Sequence, residues 1–295
     1  MEHTSHCPRG DSYLNPAFAW PEETSVALAS RLRFVANQLR DIDARTVLDV
    51  GCGTGEQLTA WLAELCPDCQ FHGIDSDEAS IAYARSKFST LANLTFATEM
   101  PRTGAYDAVI ASEVLEHVAN PCEFLASLRS QLRDGGLLII TTPNGYGCTE
   151  WMSLLETLLV VSGMWSVLQR IKRAVLGTPS DAHGRERDTH AVSPHVNFFS
   201  MRRLSRLYRA MRLEVVAYQG RMFLHHFLCT MLIDRSRSLA HLNAWLGARL
   251  PAWLVTDWMF ALRATDAPVH RTTYRRNLYE EVKRYLNLKR FGLLS

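Results

Sequence analysis

Three alternate glycines, two aspartates and a few histidines carry the chemistry open to this sequence. Gly51, Gly53 and Gly55 follow the apolar run Val47, Leu48 and Val50, and Asp49 is the last polar residue before the turn. A glycine turn between strand and helix lets the backbone approach a ligand at φ > 0, with N–H groups at the helix start facing it. The dinucleotide spacing G-x-G-x-x-G fails, because Glu56 stands where the third glycine belongs. Glu56 and Asp49 would both repel a pyrophosphate, yet either suits a ligand carrying an ammonium group. Asp75 lies twenty residues after Gly55, the offset from which a carboxylate reaches ribose hydroxyls. Its competing role is N-cap of a helix over 77–88.

Positioning these groups requires alternating strands and helices. Pro21, with Glu22 and Glu23 behind it, opens a helix to about Leu39. Strands are expected at 47–50, 70–74, 94–97, 106–112 and 137–142, the last after the turn Asp134-Gly135-Gly136. Between them, 57–65 places Leu58, Trp61, Leu62 and Leu65 on one helical face, and Pro121 starts a helix to about Leu132. Short connections between alternating elements predict an α/β, doubly wound, mostly parallel sheet.

Val47 to Gly55, V-L-D-V-G-C-G-T-G, resembles the first motif of the class I S-adenosylmethionine-dependent methyltransferases. An acid ending the second strand, here Asp75, is that family's second hallmark. Glu113 to Val118, E-V-L-E-H-V, resembles the fourth-strand motif of small-molecule members, including the ubiquinone-type O-methyltransferases. His195-Val196-Asn197-Phe198-Phe199-Ser200 resembles their H-x-x-x-F-S element, which borders the acceptor pocket. The resemblance implies a Rossmann-like fold with an antiparallel edge strand, expected among 213–218 and 223–229. It also implies S-adenosylmethionine as cofactor, with Asp49, Gly51, Cys52, Gly53, Gly55, Asp75, Ser112 and Glu113 around it. Glu99 and Met100 fall where the family lines the adenine.

His117, just past the fourth strand, is the first candidate for a base toward a hydroxyl acceptor, since imidazole accepts protons near neutrality. The bland alternative is a histidine bracing the next helix. His195 is the second candidate, and His183 and His190 sit in a polar stretch that could close over substrate. No D-x-D cluster accompanies His117 and the histidines lack zinc spacing, so no metal is expected. The lone Cys66-Pro67-Asp68-Cys69 likewise lacks a second ligand pair.

The chain has 295 residues, a formal net charge of +2 and seven scattered cysteines. That charge is too small to imply nucleic acid by itself, and the odd, unpatterned cysteines read as reduced in a cytoplasmic protein. The first residues lack the apolar core of a signal peptide, and no stretch is long enough to span a bilayer. The division expected is a leader and cap helix over 1–44, a methyltransferase domain over 45–234, and a helical, basic extension over 235–295. Within the domain a lid insertion covers about 145–194. It begins with the apolar stretch Trp151 to Arg173, either a packed lid or a greasy wall touching substrate or the inner face of a membrane. Leu239 to Leu262 reads as a second apolar helical layer, and the amphipathic tail offers anionic membrane or another subunit a basic face.

These features point to methyl transfer onto a small or lipid-like acceptor, at oxygen. Alternatives are transfer to nitrogen or carbon, a binding or scaffold protein without turnover, and a nicotinamide oxidoreductase. Nucleic acid is disfavoured: no N-P-P-Y-like tetrapeptide follows the fourth strand, and basic residues gather in the tail.

Overall fold

A computed structural model describes residues 13–21, 26–102, 104–164, 194–224, 233, 236–265 and 273–293. Seven strands, β1 (Thr46–Val50), β2 (Gln70–Ile74), β3 (Leu94–Ala97), β4 (Tyr106–Ser112), β5 (Leu132–Pro143), β6 (Leu213–Gly220) and β7 (Asp257–Ala264), form one sheet in the order β3-β2-β1-β4-β5-β7-β6. The first five are parallel, and β7 runs antiparallel to both β5 and β6.

Successive residues of a strand point to opposite faces, so β1 feeds two cores. Val47 joins Phe71, Ile110, Ile139 and Met259 under α1 (Val26–Asp41), α2 (Thr59–Leu65) and α3 (Glu78–Lys87). Leu48 and Val50 join Val109, Leu138, Ile140 and Trp258 under α4 (Pro121–Ser130) and α6 (Met201–Ala210). Between these two helices in sequence comes α5 (Cys148–Val161), and after β6 come α7 (Arg237–Gly247) and α8 (Leu278–Arg290).

Helix ends follow local chemistry. Asp77, not Asp75, caps α3 by accepting from the Ser80 amide at 3.2 Å. Asn120 caps α4 ahead of Pro121, and Asn277 and Glu280 form a capping box on α8.

The last third departs from expectation. Asp257–Ala264, read from sequence within a helical layer, is a strand buried on both faces. It sits between β5 and β6, so the sheet is not finished by residue 234 and the C-terminal segment is not purely helical. The side chain of Asn144, just past β5, binds the carbonyls of Val255 at 2.9 Å and Trp253 at 3.3 Å, fixing the approach to β7. β6 supplies the antiparallel edge at 213–220, while Phe223 and Leu224 lie outside any strand. The N-terminal helix is described from Val26 onward, and 165–193, with His183, His190 and the basic turn after the apolar stretch, lies outside the described residues, as do 225–229.

Candidate functional site

Two cavities open at the carboxyl ends of β1, β2 and β4, the edge at which open α/β sheets bind ligands. One, about 490 Å³, is lined by Gly53, Asp75, Asp77, Ser80, Met100 and Val114 among others. The second, about 510 Å³, is lined by Arg31, Asp49, Ser112, Glu116, His195 and Arg221 among others. Gly51, Glu113 and His117 line both, so the two meet as halves of one cleft. Met100 lines the first cavity, whereas Glu99 is exposed.

The turn after β1 packs tightly at two glycines, of which Gly51 lines the cleft and Gly55 lines neither cavity. Gly51 has φ +78°, and a Cβ there would fall 2.4 Å from Val114 Cγ2; at Gly55, φ +77°, it would fall 2.8 Å from the Phe96 ring. Its N–H groups are largely committed within the protein. Gly51 and Cys52 donate to Ile74 O at 2.7 and 3.0 Å, Gly55 to Cys52 O at 2.9 Å, and Gly53 to Asp75 Oδ2 at 2.8 Å. These turn amides do not await a phosphate. Asp75 thus braces the turn while lining the first cavity. Glu56 is turned outward onto Lys87 and takes no part in the cleft, contrary to its reading as a ligand-facing acid.

Asp49 is buried, and its carboxylate accepts from Thr59 Oγ1 at 2.6 Å. Burial pushes its pKa up to about 6. Across the same cavity stands Arg31 of α1, which the sequence reading missed. Its Nη1 donates to Ser112 Oγ at 3.0 Å, its Nη2 meets the Gln57 carbonyl at 3.5 Å, and its Nε has no hydrogen-bond partner. Burial pushes its pKa down to about 10, leaving it charged at neutral pH. Neither Asp49 nor Arg31 has an ion-pair partner among the described residues. A cavity flanked by one buried anion and one buried cation suits a zwitterionic amino-acid group, whose two charges would offset the cost of desolvating both side chains.

The other end is acidic and imidazole-rich. Glu113, held at φ +57°, accepts from Thr141 Oγ1 at 2.7 Å and lies 3.9 Å from Arg221, itself paired with Asp257 at 3.1 Å. Ser112 hydrogen-bonds Thr141 Oγ1 at 2.9 Å. Glu116 is buried beside Thr142, and desolvation, reinforced by the Glu113 charge, pushes its pKa up to about 8. His117 Nε2 lies 4.0 Å from Glu116 Oε1, its Nδ1 contacts Pro194 O at 3.3 Å, and its ring stands edge-on to His195 at 4.9 Å. Both named histidines therefore converge across a long sequence gap, which no local spacing signals. Burial lowers the pKa of His195, but the carboxylates of Glu150 and Glu116 outweigh that and leave it raised.

Glu116, His117 and His195 each offer one ligand atom, all within 4.8 Å of one another, and could hold a metal ion. Neither a D-x-D cluster nor zinc spacing marks this group in the sequence, because His195 comes from the far side of the lid insertion.

The second cavity is walled by residues with no motif. Ser153 comes from α5, Asn287 and Arg290 come from α8, and Phe291 follows α8. The two helices are joined by a buried ion pair, Lys283 with Glu150, and Glu150 Oε1 lies 3.8 Å from His195 Nδ1. Opposed by burial but held down by His195 and Lys283, the Glu150 carboxyl sits at about 2.

A mostly parallel Rossmann-like sheet with a glycine cradle and an acid closing β2 is the class I methyltransferase architecture. The family profile described as a methyltransferase domain matches residues 22–218, more than half of the chain. The chain belongs to that family, and its cofactor is S-adenosylmethionine. It is 30% identical over 112 residues to malonyl-acyl-carrier-protein O-methyltransferase of Halalkalibacterium halodurans, covering 34% of this chain and 40% of that protein. It is 36% identical over 118 residues to tRNA U34 carboxymethyltransferase of Idiomarina loihiensis, covering 37% of this chain and 36% of that protein. The chain thus spans less than half the length of these relatives. Among solved structures, the CurJ carbon methyltransferase superposes with a TM-score of 0.51 at 14% identity, covering 82% of this chain and 55% of that one.

Proposed function

We propose that the protein is an enzyme that transfers the methyl group of S-adenosylmethionine to an oxygen of a small or lipid-like acceptor, the donor reaching from the first cavity past Gly51 to Asp49 and Arg31 in the second, and the acceptor lying in the part of the second cavity walled by Ser153, Asn287 and Phe291. When bound, the donor supplies an electrophilic methyl group on a sulfonium that is its own leaving group. The chain's residues bind, orient and deprotonate. Gly51 and Gly53 line the cleft where the donor would lie, Asp75 takes its ribose hydroxyls, and Asp49 and Arg31 take the ammonium and carboxylate of its amino-acid arm. Positioning the acceptor in line with the methyl group supplies most of the acceleration such a displacement needs.

The observation that carries the reading is the meeting of the two cavities at His117 and Glu113, with His195 beside them. A hydroxyl acceptor in the second cavity would give its proton to a His117 nitrogen, while Glu116 and His195 hold that ring's surroundings. Transfer to oxygen also accords with the O-methyltransferase among its relatives. The assay is radiolabelled methyl transfer from S-adenosylmethionine to a panel of phenols, alcohols, carboxylic acids and amines. On a hydroxyl acceptor H117N should lower kcat ~10²–10⁴-fold with donor affinity intact. Undiminished turnover would remove His117 as base, methylation confined to amines would reassign the acceptor atom, and donor binding with no turnover on the whole panel would favour a scaffold.

A further inference from the structure

The three side chains gathered where the cavities meet are each held from behind. Glu116 Oε2 accepts from Thr142 Oγ1 at 3.3 Å, and its Oε1 faces His117 Nε2 at 4.0 Å. His117 turns Nδ1 to Pro194 O at 3.3 Å, and His195 turns Nδ1 to Glu150 Oε1 at 3.8 Å. A carbonyl or carboxylate on the Nδ1 side fixes an imidazole so that Nε2 presents its lone pair, the usual arrangement behind a metal-ligating histidine.

Charge favours a cation at the same point. Glu116 is 1% exposed, and among the described residues no lysine or arginine lies within ion-pair distance of it. Arg221 is paired with Asp257, and Lys283 with Glu150. A buried carboxyl so placed is neutralised by a proton or by a metal ion. The donor set selects the ion. Two imidazoles and one carboxylate suit zinc and its neighbours, whereas magnesium and calcium take oxygen ligands. On a tetrahedron with bonds of about 2.0–2.1 Å, ligand atoms lie about 3.4 Å apart, so atoms already within 4.8 Å of one another need only a small inward movement. All three residues line the second cavity, which gives an ion its way in and leaves a coordination position for water on that side.

We propose that Glu116, His117 and His195 form a three-ligand site for a zinc-class divalent ion, which competes with the acceptor's proton for the His117 ring. The site itself stands apart from the methyl-transfer reading; the competition rests on it. Chelator-stripped protein should take up one Zn²⁺ here in calorimetry, and no Mg²⁺. Co²⁺ in its place should give the visible absorption of a four- or five-coordinate ion, without the thiolate charge-transfer band that Cys66 and Cys69 would add. E116Q and H195Q should each weaken Zn²⁺ binding at least ~100-fold, beyond the loss that removing an outer partner brings, with the thermal midpoint in chelator unchanged. If E116Q melts early, H195Q carries the same test. On an acceptor that is turned over, saturating Zn²⁺ should arrest methylation and chelator should restore it. The proposal is overturned by no Zn²⁺ uptake, by equal affinity for Mg²⁺, by a thiolate spectrum, by uptake that survives a folded variant, or by full turnover with Zn²⁺ bound. Because the binding measurement uses neither donor nor acceptor, a protein that takes up the ion at these residues yet methylates nothing would sink the methyl-transfer reading and uphold the site.

Discussion

Breaking the ion pair between α5 and α8 gives a sharp test of how the cleft is held together. In Lys283→Met the Glu150 carboxylate keeps its burial and loses its nearest cation. The side chains of Lys283 and Glu150 are 2% and 10% exposed, so water cannot substitute. Removing one partner of such a pair costs about 3–5 kcal/mol. His195 at 3.8 Å remains a weaker counterpart, which places the expectation at the lower end, about 3 kcal/mol. For a chain of this size that corresponds to a fall in Tm of roughly 5 °C. Glu150→Met/Lys283→Met, with no stranded charge and comparable volume, should recover to within about 1 kcal/mol of wild type or exceed it. Guanidinium unfolding followed by circular dichroism measures all three proteins. A Lys283→Met variant within experimental error of wild type would show that the pair is solvated and that α8 is not docked as described. A double variant no better than the single one would instead assign the loss to packing against Phe198, whose ring lies 4.3 Å from the ammonium.

Three further outcomes concern the donor. Arg31→Met should weaken S-adenosylhomocysteine binding about 10–100-fold, the range for a charged hydrogen bond worth ~1.5–3 kcal/mol, and leave 5′-methylthioadenosine, which lacks the amino-acid arm, unchanged in calorimetry; equal losses for both ligands would make Arg31 merely structural. Asp49, with its pKa raised by burial to about 6, must be ionised to meet an ammonium group. Donor affinity should therefore fall as pH drops below about 6, and Asp49→Asn should bind weakly with that part of the pH dependence gone. The sign for stability is opposite: the unfolded carboxyl ionises near 4 while the folded one resists until about 6, so Asp49 costs stability increasingly as pH rises across that window. Asp75→Ala should weaken donor binding by ~1–3 kcal/mol, and an unchanged dissociation constant would rule out its ribose role.

What could be read from the sequence was local. The glycine turn, Asp75 and the strands from β1 to β4 depend on neighbours within a few residues, and the structure places them where spacing did. β7 escaped because Trp258 to Leu262 is apolar on both faces, and a doubly buried strand has no alternation to separate it from a buried helix. Arg31 escaped because it looks like Arg33, two residues on. The first is buried against Ser112, while the second stacks on Trp20 at 4.6 Å, a difference set by the fold alone. His117 and His195 were each named, but their meeting depends on the lid insertion returning to β4, with the Val196 amide donating to Glu116 O at 2.8 Å. The wall of the second cavity joins residues more than a hundred positions apart, and no motif encodes such a pairing.

Glu113 holds a conflict that bears on any attempt to toughen this protein. Its left-handed backbone costs a residue with a side chain about 1–2 kcal/mol, which glycine would largely avoid. Its carboxylate, however, stands where the two cavities join, tied to Thr141 and near Arg221. A library screened for heat resistance alone would be rewarded for relaxing that turn, and the survivors could emerge sturdier and inert.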